Sequence, residues 1–297
     1  MNKIMKDNYR TIGRSFYSNR NIEKAFEFYE KAYNSEEGKK DIELILDLAL
    51  LYDEIYDFDK AKEKFEEVIK LDNTDSRGYY GLGMIYDNNK NFDKAIENYE
   101  KAIKLNANYN RAYFYLAGVY DDIKNADKAI ECYNKVLSLD PNDFWSYVNL
   151  SSIYDEKGNL DISLMYIEKA LNIDPEHYMA LFNKAVLKKK LGNTCEAINL
   201  YKASIEDNPY YGFSYLNLSV IFKEKNQYED AIKIISEGIK NNEEEGYLYY
   251  NRACFYAYLK NYQDSINDLK IAINLYPDFK EYMKNDIELK EVLDYFL

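Results

Sequence analysis

Residues that punctuate a backbone are scarce in this chain: 4 prolines and 11 glycines in 297 residues. A fold of many strands needs turn residues at short intervals, so the scarcity disfavours β structure and points to helices. Histidine occurs once, at His177, and the three cysteines, Cys132, Cys195 and Cys254, stand about sixty residues apart with no paired motif. That spacing supplies neither a metal-ligand set nor a disulfide framework, and it suits a reducing compartment. Long apolar runs are missing too. The longest, Ile45 to Tyr52, is interrupted by Asp47 and too short to span a bilayer, and Met1 to Arg20 carries no apolar segment of the secretory kind. Positive charge is in deficit: 39 Lys and Arg against 52 Asp and Glu give −13 at pH 7, with no basic block. A phosphate backbone would meet long-range repulsion, so nucleic acid is not expected as a partner. Together these absences predict a soluble, cytoplasmic helical protein with no cofactor, no metal and no membrane span.

What the chain has in quantity is apolar and aromatic content, 47% hydrophobic with 33 tyrosines, too much for a disordered chain. It also has a strict internal repeat. Laid out at a period of 34, the sequence aligns from Lys6 almost to its end. One unit covers 6–39; after two inserted residues, Lys40 and Asp41, seven more follow without a gap at 42–75, 76–109, 110–143, 144–177, 178–211, 212–245 and 246–279, leaving 280–297. With positions in each unit numbered as phases 1 to 34, all four prolines, Pro141, Pro175, Pro209 and Pro277, fall at phase 32, where a residue that cannot continue a helix closes the unit. Phases 8 and 20 are small in every unit, from Gly13 and Ala25 to Ala253 and Ser265, which predicts two helices crossing closely. Phase 16 is Asn or Asp in seven units and suits a tight turn tolerant of left-handed geometry. Acids at phase 18, such as Asp59, Asp93 and Asp127, complement the start of the second helix.

This pattern resembles the tetratricopeptide repeat family, and its best match is Tyr79-Tyr80-Gly81-Leu82-Gly83 with Tyr86, Ala95, Tyr99 and Ala102. The resemblance implies an all-α fold: one right-handed superhelix of eight helix-turn-helix repeats over 6–279, with helix A of each repeat lining an inner groove. It implies a capping helix at 280–297, with Ile287, Val292, Leu293 and Phe296 as its apolar side. It further implies a non-enzymatic scaffold that binds a partner protein or an extended peptide.

At about 100° per residue, phases 4, 7, 8 and 11 of helix A share one side, and phases 2, 5, 6, 9, 12 and 13 share the other. Phase 11, with Tyr52, Tyr86, Tyr120 and Tyr154, is expected in the core; the second side is the one the family presents to ligands. Phase 6 reads Asn149, Asn183, Asn217 and Asn251 in the last four units. A carboxamide both donates and accepts, so such a ladder can pair with peptide backbone without reading its sequence, and it is similar to the asparagine rows of peptide-binding superhelices. The alternative is bonding within or between the protein's own helices. Phase 12 gives a second ladder, Asp53, Asp87, Asp121 and Asp155, reinforced at phase 13 by Glu54, Asp122 and Glu156 and ending at Lys189 and Lys190. It favours a Lys/Arg-rich partner, unless it is merely a solvated face. Phase 5 is largely apolar, with Tyr80, Phe114, Phe182 and Tyr250, and phase 2 adds Trp145, Phe213 and Tyr247. These read as contact residues for a ligand or as packing between adjacent A helices, with Trp145, the one tryptophan, as the leading candidate anchor.

Two further functions find no support in the residues. The carboxylate clamp by which co-chaperones in this family grip acidic chaperone tails needs Lys and Asn where the chain has Arg10 and Arg14, and an Asn where it has Asp47, which would repel a carboxylate. No catalytic constellation stands out, since Gly78, Gly81 and Gly83 lie on a helix with no preceding strand and His177 has no second ligand at metal spacing. The remaining alternative is self-association through an apolar face or an end of the superhelix.

Overall fold

The computed structural model describes residues 3–296, with side chains as far as Leu293. Among the described residues the chain forms eighteen α-helices and no strand, as the sequence predicts for an all-α fold. It divides into two compact units, Met1–Ser146 and Tyr147–Leu297. The first holds α1 (Lys3–Ser18), α2 (Ile22–Tyr33), α3 (Ile42–Glu54), α4 (Phe58–Leu71), α5 (Ser76–Asn88), α6 (Phe92–Leu105), α7 (Asn110–Asp122), α8 (Ala126–Leu139) and the start of α9 (Phe144–Glu156). The second holds the rest of α9, then α10 (Leu160–Ile173), α11 (Tyr178–Lys190), α12 (Thr194–Asp207), α13 (Gly212–Glu224), α14 (Tyr228–Asn241), α15 (Gly246–Tyr258), α16 (Tyr262–Leu275), α17 (Phe279–Asn285) and α18 (Lys290–Phe296). Odd-numbered helices from α3 to α15 begin at phase 1, so the 34-residue period is a period of helix pairs.

The turn inside each pair corrects the sequence reading by one residue. The left-handed residue is at phase 15, at Arg20, Tyr56, Lys90, Lys124, Gly158, Gly192, Asn226 and Lys260, all with φ between 55° and 83°. Phase 16 instead caps the second helix: the side chains of Asn21, Asp57, Asn91 and Asn125 accept the backbone N–H three residues on. A short oxygen-bearing side chain there satisfies an orphan donor of the first turn, which is why Asn and Asp recur.

Small residues at phases 8 and 20 let the paired helices approach as expected. A Cβ on Gly83 would lie 2.5 Å from the Tyr99 ring, and one on Gly13 would lie 2.5 Å from Tyr29. Where both positions are serine, the hydroxyls bond across the crossing: Ser151 Oγ donates to the Ser163 carbonyl (2.9 Å) and Ser163 Oγ to that of Ser151 (2.7 Å). The two buried hydroxyls are thereby satisfied without widening the contact.

The C-terminal segment packs on the last helix pair. Met283, Leu289 and Val292 are fully buried with Leu248, Phe255 and Leu269, and Leu293 packs against them. Ile287, expected on the apolar side, is 88% exposed, because a 3-10 turn at Ile287–Leu289 breaks the single helix expected there and rotates Leu289 inward in its place. Phe296 lies outside the residues whose side chains are described.

Candidate functional site

Phase 5 lies on the accessible side of helix A on a helical wheel, yet Leu46, Tyr80 and Val148 are buried there and Phe114, Phe182, Leu216 and Tyr250 are half-buried. The wheel treats each helix alone; in the fold α3 packs against α5, α5 against α7 and α13 against α15, and phase 5 fills those seams. Tyr80 sits at 4.9 Å from the Tyr109 ring and 6.0 Å from that of Tyr115, closed off from any ligand. Exposure along helix A is concentrated at phase 13, exposed in every unit, with phase 2 open at Glu43, Arg111, Trp145 and Phe213.

In the first unit the most distinctive feature of this face is electrostatic. Asp53 and Asp87 are each partly buried, and Asp53 Oδ1 is fully buried with no hydrogen-bond partner in the protein. Asp87 has only the distant Tyr99 hydroxyl, at 3.5 Å. Burial pushes both carboxyls above their ordinary pKa, helped at Asp87 by the nearby charge of Asp122. A carboxyl whose folded pKa exceeds its unfolded one stabilises the fold fully below the unfolded pKa, and that contribution is lost as pH rises through the folded value. The double variant Asp53→Asn with Asp87→Asn is therefore expected to melt at a higher temperature than wild type at pH 7. The difference should close as pH falls into the ordinary carboxylate range, which a series of thermal melts would show.

The acids at the ends of the stripe are differently placed. Glu54 lies near Arg20 (3.6 Å), and Asp155, in the second unit, accepts from Lys190 Nζ at 2.6 and 2.7 Å. In that unit Lys189 is likewise bonded to Glu224 (2.7 Å) and Lys223 to Glu288. Lysines of its helix-A face are thus neutralised internally, whereas Asp53 and Asp87 have no cation beside them among the described contacts.

The asparagine ladder lies in the second unit, each member half-buried. Asn217 and Asn251 donate their amide N–H to the carbonyls of Phe213 (3.0 Å) and Tyr247 (2.8 Å), one turn back on their own helices. One of the two amide N–H groups of each rung is therefore committed to its own helix, which leaves the second N–H and the carboxamide oxygen for other partners. Asn183 borders a pocket of about 40 Å³ with Ser151, Ser152 and Asp155, the size of a water site. Among the aromatics, Phe213 is 46% exposed and stacks on Tyr247 at 4.9 Å, presenting a two-ring platform. Phe182 is held edge-on by Tyr211 and at a tilt by Tyr201. Tyr250 is committed internally: its ring stacks on Phe279 at 4.8 Å and its hydroxyl donates to Asp286 at 2.8 Å.

At the amino-terminal end, Asp47 accepts from Arg10 Nε (2.8 Å) and from Arg14 Nε and a terminal nitrogen (3.0 and 3.1 Å), so the two arginines are occupied by a carboxylate of the chain itself. His177 sits at the N-cap of α11, stacked on Tyr178. No group of three or more His, Cys, Asp or Glu among the described residues could hold a metal ion, and no described helix is long and apolar enough to cross a membrane.

Models of the tetratricopeptide repeat match residues 42–75, 76–109, 111–143, 132–164, 214–245 and 247–279, together more than half of the chain. The chain belongs to the tetratricopeptide repeat family. Residues 13–36 match a Sel1 repeat instead, so the amino-terminal helix pair, followed by the two-residue insertion, departs from its successors. No curated protein matches the chain. Among solved tetratricopeptide-like structures, one of a repeat protein from Parabacteroides merdae covers 85% of this chain and 97% of its own at 18% identity, with a TM-score of 0.64. YrrB, a tetratricopeptide repeat protein with an unusual peptide-binding site, covers 63% of this chain and 95% of its own at 22% identity and a TM-score of 0.52. MamA is 30% identical over 55% of this chain and 95% of its own, with a TM-score of 0.50.

Residues that periodicity alone passes over belong to this face as well. Tyr115 occupies phase 6 of its unit, where later units have asparagine, and is 41% exposed. Beside it stand Asn110, Arg111 and Asp143. Of this groove the sequence marked Phe114 and Trp145; Tyr115, in the last repeat before the asparagines begin at phase 6, carries no periodic signal of its own.

Proposed function

We propose that this tetratricopeptide repeat protein is a non-enzymatic scaffold whose helix-A face binds an extended, Lys/Arg-rich segment of a partner protein. On this reading the eight units at 6–279 are the binding array, and 280–297 is the cap that closes its last core. The observation that carries the proposal is the pair Asp53 and Asp87. Each is an acid partly buried with no internal cation beside it, its pKa raised by burial, and an ionisable group kept in such a place at no structural gain supports a binding role. The carboxamide oxygens and remaining amide N–H groups of Asn217 and Asn251 are suited to pair with peptide backbone, and the Phe213–Tyr247 platform to cover an apolar side chain.

Fluorescence anisotropy of a labelled Lys/Arg-rich peptide tests this. Wild type should bind it and ignore an acidic peptide of equal length. Asp53→Asn with Asp87→Asn should bind it about tenfold more weakly at low salt, with the gap narrowing toward physiological ionic strength, where the Debye length is about 8 Å. Equal affinity for basic and acidic peptides would refute the reading.

A further inference from the structure

A groove of about 370 Å³ opens in the first unit between α7 and the start of α9, lined by Asn110, Arg111, Phe114, Tyr115, Asp143 and Trp145. Its two outermost rings, Tyr115 and Trp145, are 41% and 43% exposed. Neither ring is loose. Tyr115 stacks on the fully buried Tyr99 (6.4 Å, 20°) and meets Tyr80 and Phe114; Trp145 is held edge-on by Phe144 (5.2 Å, 87°). Large amphipathic rings fixed in place lose little entropy when a ligand lies on them.

The polar atoms here define what that ligand must be. Asn110 Oδ1 is buried and has no hydrogen-bond partner in the protein. Asp143 caps α9 through Oδ1, which accepts the Ser146 N–H at 2.7 Å. Both groups are acceptors, so the complementary ligand group is an N–H donor. A purely apolar side chain would leave Asn110 Oδ1 buried and unpaired, and a carboxylate would face two acceptors. An ammonium could donate, but it has no flat face for the rings. A guanidinium does both, donating from a planar fork and stacking on aromatic faces. Arg111, itself exposed, also lines the groove.

We propose that this groove seats an arginine side chain of the bound peptide, its guanidinium stacked between Tyr115 and Trp145 and donating to Asn110 Oδ1 and the Asp143 carboxylate. The inference rests on the peptide-binding reading and adds to it a named anchor and a preference for arginine over lysine.

Trp145 is the chain's only tryptophan, so its emission reports on this groove alone. Oligoarginine, oligolysine and oligoglutamate peptides, each labelled, are titrated into the protein while tryptophan emission and label anisotropy are followed together. Oligoarginine should change both signals and bind roughly tenfold more tightly than oligolysine. Trp145→Ala, at a position 43% exposed, and Asn110→Ala should each remove that preference. If oligoarginine binds by anisotropy while Trp145 emission stays unchanged and both variants bind it as wild type does, the anchor is wrong and the peptide-binding reading survives. If no basic peptide binds, that reading falls and the anchor with it.

Discussion

Asp268→Ala is expected to lower the stability of the second unit by about 3–5 kcal/mol. Arg252 on α15 donates to Asp268 on α16 through Nε (2.7 Å) and a terminal nitrogen (2.8 Å), and to Ser236 on α14 through the other terminal nitrogen (2.9 Å). The guanidinium lies over the rings of Tyr249 (5.7 Å) and Tyr256 (5.9 Å), and Asp268 is only 4% exposed. One largely covered cation thus ties three helices together. Deleting the carboxylate leaves the charge in a site only partly open to water, and this penalty, rather than the worth of the bond, sets the size of the effect. The double replacement Arg252→Met with Asp268→Leu removes both charges and should recover most of the loss. Urea unfolding of the single and double variants measures both numbers; equal losses in the two would show that the charge pair is not what matters there.

The second large effect concerns the C-terminal segment and separates two neighbouring residues of similar size. Leu289→Ala should cost about 2–5 kcal/mol, since the side chain is fully buried against the last helix pair and its removal leaves a cavity. Ile287→Ala should cost less than about 0.5 kcal/mol, as an exposed position does. A continuous capping helix would put Ile287, not Leu289, on the buried side. Thermal unfolding of the two variants therefore reads out the 3-10 turn directly: comparable losses would mean that the segment docks in another register.

Both effects show where the sequence is readable and where it is not. The period, the helix pairing and the close crossings are legible because each depends on a residue's size or cap chemistry at a fixed phase, as at Gly83 against Tyr99 or Asn21 capping α2. The turn is misread by one residue because Asn and Asp serve left-handed turns and N-caps equally well, and only the backbone shows that Lys90 and Lys124 take the positive φ. Phase 5 is misassigned for a different reason. Amphipathicity reports one helix's contact with its partner, while Tyr80 is covered also by Tyr109 and Tyr115 of the next helix pair along the chain.

The candidate site was legible as a face but not as a set of free groups. Asn217 and Asn251 look like wholly free rungs, yet one amide N–H of each is bonded one turn back, and Tyr250 looks available although Asp286 and Phe279 already hold it. Such competition between internal and external partners is settled by distances of a few tenths of an ångström, which no phase assignment contains. The acids at phase 12 are alike in sequence; a lysine within bonding distance of Asp155, and none beside Asp53 or Asp87 among the described contacts, separates their surroundings in the structure.

The most direct test of the account is a hydrogen-exchange footprint of the protein with and without a bound Lys/Arg-rich peptide. Protection gathered on α3, α5 and α7, around Asp53, Asp87 and Tyr115, and extending to the helix-A residues of the second unit is the predicted result. Protection confined to the even-numbered helices, or to the segment after Phe279, would contradict it.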